Sequence, residues 1–432
     1  MSLRRLFDLI LRKKGFARDF LMSSVGSLLI TFVLILMTGI ISRNLEPHEF
    51  GIYGVGRRAV AFLYPFISLG IPISLVWHIS REDSKKKKFA YLASGTVLSL
   101  IILAILLTLI FLLRNPIARF VFSSSDRSLS FAVYLLVASL FSVMLLNAWE
   151  RGNLDFTRYN IFNFLFMALL PLASVSLLCY TRFATSNGKL LARHILVGIG
   201  IAQGLSILIL AGITVRAFKY ISPSELVTAS RSILRYGVPR VVAVSLYPAV
   251  LLFPPWMSLK LGYKEVAGVI SAGLMIFRMA DVFSMAFGSV SLPYVSRIAS
   301  REEAGRLRPA IRSLSIYVIV FSVLLTITLI YFMPFVVRIW LGVKYVPYAD
   351  ILRILMVSLP FYFYYSVFRS VIDGLEFKAV NSRNLLESVV FMVLFFAVAS
   401  FLRVNELLVV ILSQNAAFMW LGAKTLQFLH NV

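Results

Sequence analysis

Charged side chains are scarce in this sequence, and acids are the scarcer kind. Only 14% of the 432 residues are charged, against about a quarter in soluble domains. Cysteine occurs once, at Cys179, so the chain can form neither a disulfide framework nor a thiolate metal site. The four histidines lack the spacing of metal ligands. We therefore expect no cofactor, no metal site and no soluble domain of ordinary composition.

Long apolar runs take the place of the missing charges. Hydrophobic residues make up 59% of the chain, and charge-free runs long enough to cross a bilayer recur through to the C-terminus. A cleaved leader would leave a soluble remainder, which this repetition excludes. We expect an all-α polytopic membrane protein with about twelve transmembrane helices. Their predicted centres lie near residues 31, 66, 101, 139, 170, 204, 249, 282, 325, 361, 393 and 418.

Basic residues divide unevenly between alternate sides of these spans. With the N-terminus inside, the inner segments hold 25 Lys and Arg and the outer loops 11. The positive-inside rule then predicts a protein of the cell membrane with both termini cytoplasmic. This placement accounts for the net charge of +24 without nucleic acid as a partner. Residues 1–18 predict a basic amphipathic segment on the inner leaflet. The run Lys85–Lys88 is interpreted as a topology signal in preference to a lipid-binding patch.

The two halves of the chain resemble each other. Glu49-Phe50-Gly51 is followed 216 positions later by Glu265-Val266-Ala267, and further pairs of motifs keep the same order. Since six spans is an even number, both halves would enter the membrane with the same orientation. We expect two parallel six-helix lobes around a central cavity, with lobes at residues 19–218 and 237–432 and a cytoplasmic linker at 219–236.

Charged side chains inside the spans are the candidates for function, because a charge in hydrocarbon is costly and usually faces a cavity. A cationic cavity would suit an anionic substrate such as a phosphate or diphosphate, whose oxygens guanidinium grips in pairs. The candidate substrate-binding cations are Arg57, Arg58, Arg278, Arg240 and Arg369.

Alternatives stay open for each arginine. Snorkelling to the inner interface explains Arg240 and Arg369 equally well, and a structural ion pair with Asp281 explains Arg278. Arg57 and Arg58 cannot face the same way on a helix, so one of them can snorkel outward.

Three acids lie within the predicted spans, at Asp281, Asp373 and Glu387. Coupling to a proton or sodium ion is one interpretation of each. Neutralising a neighbouring arginine is the favoured interpretation of Asp281 and Asp373. Glu387 has no obvious partner along the helix except Arg383, one turn earlier and near the interface.

Prolines predict bends in several spans, because proline frees a carbonyl and kinks the helix axis. Gly70 with Pro72 marks one such point, and Pro248 with the Pro254-Pro255 pair marks another. The aromatic run Phe361–Tyr365 is interpreted as helix packing in preference to a sugar-facing or lipid-facing surface.

Motifs for enzymatic chemistry are missing from the sequence. There is no phosphate-cradling glycine loop, no nucleophile elbow and no zinc spacing. The outer loops are short and poor in acids, which leaves no place for a catalytic domain. An enzyme is not expected.

The run from Gly39 to Glu82 resembles the first two helices of the polysaccharide-biosynthesis flippases. The pieces that carry the resemblance are Arg43 to Leu45, Glu49 to Tyr53, Ser68 to Pro72 and Ile79 to Arg81. Tyr236-Gly237-Val238-Pro239 is similar to the motif that opens the second lobe in the same family. The family belongs to the multidrug/oligosaccharidyl-lipid/polysaccharide exporter superfamily.

This resemblance implies alternating access and a cavity where Arg57 and Arg278 would hold the diphosphate of a polyprenyl-linked glycan. Many relatives carry an acid late in the seventh span, where this chain has Leu252 to Trp256 instead, so the resemblance leaves ion coupling at that position open. The first span also lacks the carboxylate of the MATE cation antiporters, which argues against that branch.

Three hypotheses follow. The first is a flippase that moves a lipid-linked oligosaccharide from the inner to the outer leaflet, with membrane lipids and glycan-assembly enzymes as partners. The second is an ion-coupled, MATE-like exporter of organic cations, which would place acids rather than arginines in the cavity. The third is a non-transporting membrane scaffold for a glycan-synthesis complex.

Overall fold

Every regular element in the described part of the chain is helical. The structure is a computed structural model and describes residues 14–184, 189–219, 221–277, 281, 284, 308–375, 380–402 and 405–431. The chain divides into two compact units. The N-terminal unit is Phe32–Pro248, and the C-terminal unit comprises residues 249–432 together with the chain up to Thr31.

Long apolar helices build the N-terminal unit. The first helix, α1, is shared with the C-terminal unit and continues into this one. The helices are α1 (Lys14–Asn44), α2 (Pro47–Ser68), α3 (Ile71–Arg81), α4 (Lys85–Phe122), α5 (Ser128–Gly152), α6 (Phe156–Phe164), α7 (Leu170–Ala184), α8 (Ala192–Gly204), α9 (Ser206–Phe218) and α10 (Pro223–Gly237).

The bend between α2 and α3 follows from the backbone at two residues. Leu69 and Gly70 both adopt left-handed conformations, with φ of 47° and 69°. Pro72 then lies in the first turn of α3, where its missing N–H is harmless. The two helices meet at 54° and together form one broken span, which confirms the bend predicted from Gly70 and Pro72.

A π-helical turn at Leu165–Leu169 joins α6 to α7. Pro171 follows directly and cannot donate the hydrogen bond that a regular α-helix would need there. The wider turn accommodates the proline without ending the span, as such turns commonly do.

The core of the N-terminal unit includes a helix from the segment predicted as a linker. Ile233 of α10 is fully buried in a cluster with residues from four other helices, namely Ile71, Leu75, Ile79, Leu92, Leu145, Ala148 and Leu210. Ser222 and Glu225 form a capping box at the start of α10, and Lys86 lies 2.8 Å from a Glu225 carboxylate oxygen. Residues 223–237 are therefore a packed part of this unit.

The C-terminal unit contains the remaining helices, beginning with one that leads into it. They are α11 (Val241–Lys260), α12 (264–277), α13 (Arg308–Trp340), α14 (Ala349–Met356), α15 (Leu359–Leu375), α16 (Val380–Phe401) and α17 (Glu406–Asn431). A bend of 52° separates α14 from α15.

Aromatic rings hold α12, α15 and α17 together. The centroids of Phe277, Tyr362 and Phe418 lie 5.0 to 5.5 Å apart in pairs. Tyr362 through Tyr365 are all buried. Their burial agrees with helix packing as the role of this aromatic run.

The bend predicted at the prolines of α11 lies on the N-terminal side of Pro248. The helix is continuous from Val241 to Lys260 through Pro248, Pro254 and Pro255. A bend of 49° separates Arg240 from Val244, the residue whose carbonyl group the ring of Pro248 crowds. Pro254 and Pro255 do not end α11, since neighbouring groups in a membrane protein can satisfy the backbone carbonyls that prolines free.

Helices able to cross a membrane account for most of the described chain. Eight qualify alone, and the count reaches 11 when each of three bent pairs is one span. The span predicted near residue 282 falls mostly outside the described residues. Only 11% of the most apolar stretch of α4 is buried, against 67% for α5. Helix α4 therefore presents its apolar side chains to lipid, whereas α5 is central in its unit.

Candidate functional site

Arg57 and Arg58 lie near the middle of α2, within the first half of the broken span. Both side chains are half-buried. Gly56, just before them, packs against Leu196 and Phe122, where an added Cβ would lie 3.1 to 3.2 Å from their side-chain atoms. This close approach fixes α2 against its neighbours and thereby sets the direction of Arg57.

The N–H groups of the Arg57 guanidinium have no acceptor in the described part of the protein. No other described residue accepts a hydrogen bond from it or forms an ion pair with it, and its charge acts on Tyr53, one turn earlier. Arg58 differs, because it interacts with other groups. A half-buried guanidinium within a span needs water or an anion beside it. Arg57 is therefore a cation within a span whose charge no described residue offsets.

Polar side chains form a stripe along α15. Tyr362, Ser366, Arg369 and Asp373 recur at three- and four-residue intervals, which places them on one face of the helix. The face runs from a buried aromatic end at Tyr362 to exposed charges at Arg369 and Asp373.

Asp281 contacts the two N-terminal residues of this stripe. Its Oδ1 accepts hydrogen bonds from the Tyr362 hydroxyl and, at 3.0 Å, from the Ser366 hydroxyl. Arg369 lies close enough to interact electrostatically with Asp281 and Asp373. Both acids thus offset part of the charge of Arg369.

Asn381 of α16 contacts Arg369 and Asp373, the two C-terminal residues of the stripe. Its amide nitrogen donates to Asp373 Oδ1 at 2.6 Å and to the Arg369 carbonyl oxygen at 2.8 Å. The two bonds fix the end of α15 against the start of α16. Asn381 thus joins the backbone of Arg369 to Asp373, the acid whose charge also acts on the Arg369 side chain.

Glu387 is shared by two cations. Its carboxylate lies 2.8 Å from Arg383 Nε, one turn earlier on α16, and 3.3 Å from Lys424 Nζ on α17. The partner along the helix is the one that the spacing predicted. These contacts connect α16 to α17.

Arg240 lies at the exposed start of α11. Its guanidinium stacks on the Tyr236 ring at 3.6 Å and donates to the Tyr236 carbonyl oxygen at 2.7 Å. Arg278 lies outside the described residues. The structure thus places Arg57, Arg58 and Arg240 in the N-terminal unit and Arg369 in the C-terminal unit.

A second polar cluster lies at the predicted outer end of the N-terminal unit. Arg193 Nη1 lies 3.0 Å from Asp126 Oδ2. Burial raises the pKa of Asp126, but hydrogen bonds from Ser128 and the charge of Arg193 outweigh it, so the pKa lies below its ordinary value. A cavity of about 420 Å³ adjoins Arg193, Lys189 and Thr181. The cations beside it are already paired, Lys189 with Glu46 at 3.7 Å.

Sequence reasoning missed the partners that come from other helices. Tyr362 and Ser366 bind an acid more than 80 positions away, and Lys424 reaches Glu387 from the next helix. The spacing of residues 362, 366, 369 and 373 was visible in the sequence and could have revealed the stripe. Nothing in the sequence indicated which acid the stripe would meet.

Comparisons with known proteins fit these observations. A family model described as polysaccharide biosynthesis protein matches residues 16–299. No curated protein matches the chain.

Several solved structures share the fold. The inward-facing structure of a multidrug resistance MATE family transporter of the MOP superfamily is 15% identical and gives a TM-score of 0.75, over 94% of this chain and 97% of that one. The MATE multidrug transporter DinF-BH is 14% identical, with a TM-score of 0.66 over 100% and 96% of the two chains. The eukaryotic MATE transporter AtDTX14 is 13% identical, with a TM-score of 0.61 over 97% of each chain.

The shared fold of these transporters has two lobes, in agreement with the all-α polytopic architecture expected from the sequence. The family model matches more than half of the chain, including the α2–α3 segment that carried the resemblance. The chain therefore belongs to the polysaccharide biosynthesis protein family and, by family and fold, is a multi-pass membrane transporter.

Proposed function

We propose that the protein is a flippase of the cell membrane that moves a polyprenyl-diphosphate-linked oligosaccharide from the inner to the outer leaflet by alternating access. Both termini are cytoplasmic in this proposal, as the distribution of Lys and Arg predicts. Membership of the polysaccharide biosynthesis family supports the glycan as cargo. Glycan-assembly enzymes would then supply the substrate.

The observation that carries the proposal is the state of Arg57. Its guanidinium is half-buried within a span and forms no ion pair with another described residue. A diphosphate would supply the missing oxygens, and charge-assisted hydrogen bonds of this kind are the strong ones. Arg369 supports the proposal less directly, because Asp281 and Asp373 already offset its charge. Arg58, Arg240 and Arg278 belong to the proposed set of substrate-binding cations by sequence.

A translocation assay in proteoliposomes tests the proposal. The purified protein is reconstituted with a fluorescent polyprenyl-diphosphate glycan, and a membrane-impermeant quencher reports the fraction exposed outside over time. We expect protein-dependent translocation. Losing a hydrogen bond to a charged group costs about 1.5–3 kcal/mol, so Arg57→Gln should slow the initial rate about tenfold or more. Arg57→Lys, which keeps the charge but loses the paired geometry, should fall between.

Arg383→Gln is the matched control, since Arg383 is 79% exposed and already pairs with Glu387. Its rate should equal that of the unmodified protein. Absence of protein-dependent translocation with several lipid carriers would refute the flippase. An unchanged rate in Arg57→Gln would remove Arg57 from the binding site while leaving the activity intact.

An ion-coupled exporter of the MATE type is the second candidate. The polar network around Asp281 and Asp373 supports it, as does Gln414, which is fully buried with no partner for its amide group among the described residues. Drug-resistance assays separate the two candidates. Resistance that disappears in Asp281→Asn or Asp373→Asn would favour the exporter, and glycan translocation that survives these changes would favour the flippase.

A further inference from the structure

Two aromatic rings and two guanidiniums form a column at the ends of α3 and α10. The rings of Trp77 and Tyr236 stack with centroids 4.6 Å apart and an interplanar angle of 29°. The Arg81 guanidinium lies over Trp77 at 4.1 Å from the ring centroid, and that of Arg240 over Tyr236 at 3.6 Å. The order along the column is Arg81, Trp77, Tyr236, Arg240, and all four residues belong to the N-terminal unit.

Neighbouring groups hold the column in place. The His78 ring meets Trp77 edge-on at 4.7 Å and stacks on Tyr91 at 4.5 Å. The Arg240 guanidinium also donates to the Tyr236 carbonyl oxygen at 2.7 Å. Side chains fixed in this way lose little conformational freedom when they bind a ligand, which favours affinity.

The two guanidiniums remain available to a ligand. Both side chains are exposed. No described residue accepts a hydrogen bond from Arg81. The adjacent Glu82 points its carboxylate at Lys87, 3.6 Å away, and at the Ser84 backbone N–H, 3.2 Å away. The positive charge of Arg81 therefore has no direct partner in the described part of the protein.

Arginine stacked flat on a ring keeps its N–H groups pointing outward in the plane of the guanidinium. Those edges match the oxygens of a phosphate, which they can bind in pairs. The two guanidiniums lie on the outer faces of a two-ring stack, so they cannot share one phosphate. Each guanidinium suits a separate phosphate, as neighbouring lipid headgroups would present them.

The position of the column indicates whether the phosphate belongs to a lipid or to a free anion. Arg81 ends the broken span, and the Trp77–Tyr236 stack brings Arg240 to the same end of α3. The distribution of Lys and Arg predicts that this end lies at the level of the cytoplasmic headgroups. Tryptophan and tyrosine anchor membrane proteins at this level. Among the neighbouring lysines, Lys86 is paired with Glu225, and Lys88 donates to Asn153 at 3.3 Å. The guanidiniums of Arg81 and Arg240 are therefore available to an external ligand, whereas Lys86 and Lys88 are bound to other groups of the protein.

We infer that the Arg81–Trp77–Tyr236–Arg240 column is a binding site for the phosphate groups of anionic phospholipids at the inner membrane surface. Arg240 also belongs by sequence to the proposed set of substrate-binding cations, but lipid binding at the column needs no glycan and no transport and can be tested without them.

Lipid titration of the full-length protein in neutral detergent tests this inference. Phosphatidylglycerol is added, and the number of bound lipids is counted by native mass spectrometry, with phosphatidylcholine as the zwitterionic reference. The double variant Arg81→Gln/Arg240→Gln should weaken phosphatidylglycerol binding at least fivefold and leave phosphatidylcholine binding unchanged. The matched control is Arg231→Gln/Arg235→Gln, which removes the same charge from exposed positions of α10.

A third variant distinguishes the contribution of the aromatic stack from that of positive charge alone. Tyr236→Leu keeps both arginines but removes the ring beneath Arg240, and it should weaken binding about twofold to threefold. Melting curves recorded without lipid verify that each variant is folded. If the double variant fails to fold, Tyr236→Leu and the single variant Arg81→Gln carry the test.

Inorganic phosphate and pyrophosphate form the second arm of the experiment. We expect millimolar amounts of either anion to compete only weakly with phosphatidylglycerol. Equal losses of binding in the column variant and its control would overturn the inference, because net charge would then explain them. Phosphate binding that depends on Arg81 and Arg240 while lipid binding does not would reassign the site to a free anion.

Discussion

Replacing Gly70 with alanine should destabilise the N-terminal unit more than any other single glycine change considered below. Gly70 adopts a φ of 69° at the bend between α2 and α3. A Cβ there would lie 2.5 Å from the carbonyl oxygen of Gly237 and 2.8 Å from two further backbone atoms of that residue. Backbone atoms cannot turn aside as a flexible side chain can, so the bend and α10 would have to separate.

Two separate effects set the magnitude. A left-handed conformation costs an L-residue about 1–2 kcal/mol. Overpacking a tight contact costs about 1–3 kcal/mol more. Their sum for Gly70→Ala is about 2–5 kcal/mol, which corresponds to about 4–20 °C for a unit of this size at about 2–4 °C per kcal/mol.

Three other glycines separate these effects. Gly237 has an ordinary φ of −75°, but a Cβ there would lie 2.5 Å from the Leu69 carbonyl oxygen, so its alanine variant carries the contact alone. Gly262 has a φ of 90° with open space around it, so its alanine variant would have the backbone strain without a close contact. Gly212 is helical with nothing within 4 Å, so Gly212→Ala should stabilise by up to about 1 kcal/mol.

The assay is the fraction of monodisperse protein that survives heating in detergent, measured by size-exclusion chromatography. Gly212→Ala should melt at or above the unmodified protein, followed in order by Gly262→Ala and Gly70→Ala. If Gly70→Ala melted with Gly262→Ala, the close contact between the bend and α10 would be wrong. The same conclusion would follow if Gly237→Ala melted at the temperature of the unmodified protein.

Two further predictions concern ion pairs. Glu387→Gln and Lys424→Met should show a coupling of about 0.5–1 kcal/mol in a double-mutant cycle of melting temperatures, because this pair is only partly exposed, and additive effects would argue against the contact. The lowered pKa of Asp126 means that its carboxylate stabilises the fold above its unfolded pKa of about 4 and loses that contribution as the pH falls through the folded value. The melting temperature of Asp126→Asn should therefore lie below that of the unmodified protein at pH 7 and converge with it under acid conditions, whereas a pH-independent difference would contradict the assignment.

The sequence predicted features that depend on residues near one another along the chain. The membrane spans followed from apolar runs, and the bend at Gly70 and Pro72 followed from two residues with restricted or special backbone geometry. The pairing of Glu387 with Arg383 followed from helical spacing. Each of these depends on one helix or one turn, so one stretch of sequence contains the whole cause.

Features that depend on two helices meeting were not predicted. The hydrogen bonds of Asp281 require α15 to lie beside residue 281, and no local pattern specifies that neighbour. Arg57 was identified as an interior cation from its depth in the span, but only the structure shows that its described neighbours leave the guanidinium uncompensated.

Helix α10 gives the chain a natural place to be divided. Its capping box starts at Ser222, and Ile233 is inserted among side chains of the preceding helices. If the gene were split between Lys219 and Ser222, the second polypeptide would begin with a helix whose binding surface belongs to the first. Ser94 Oγ, which donates to the Leu226 carbonyl oxygen at 3.0 Å, would help to recapture it. Co-expressed halves should therefore find each other through α10, which would make each half separately available for labelling.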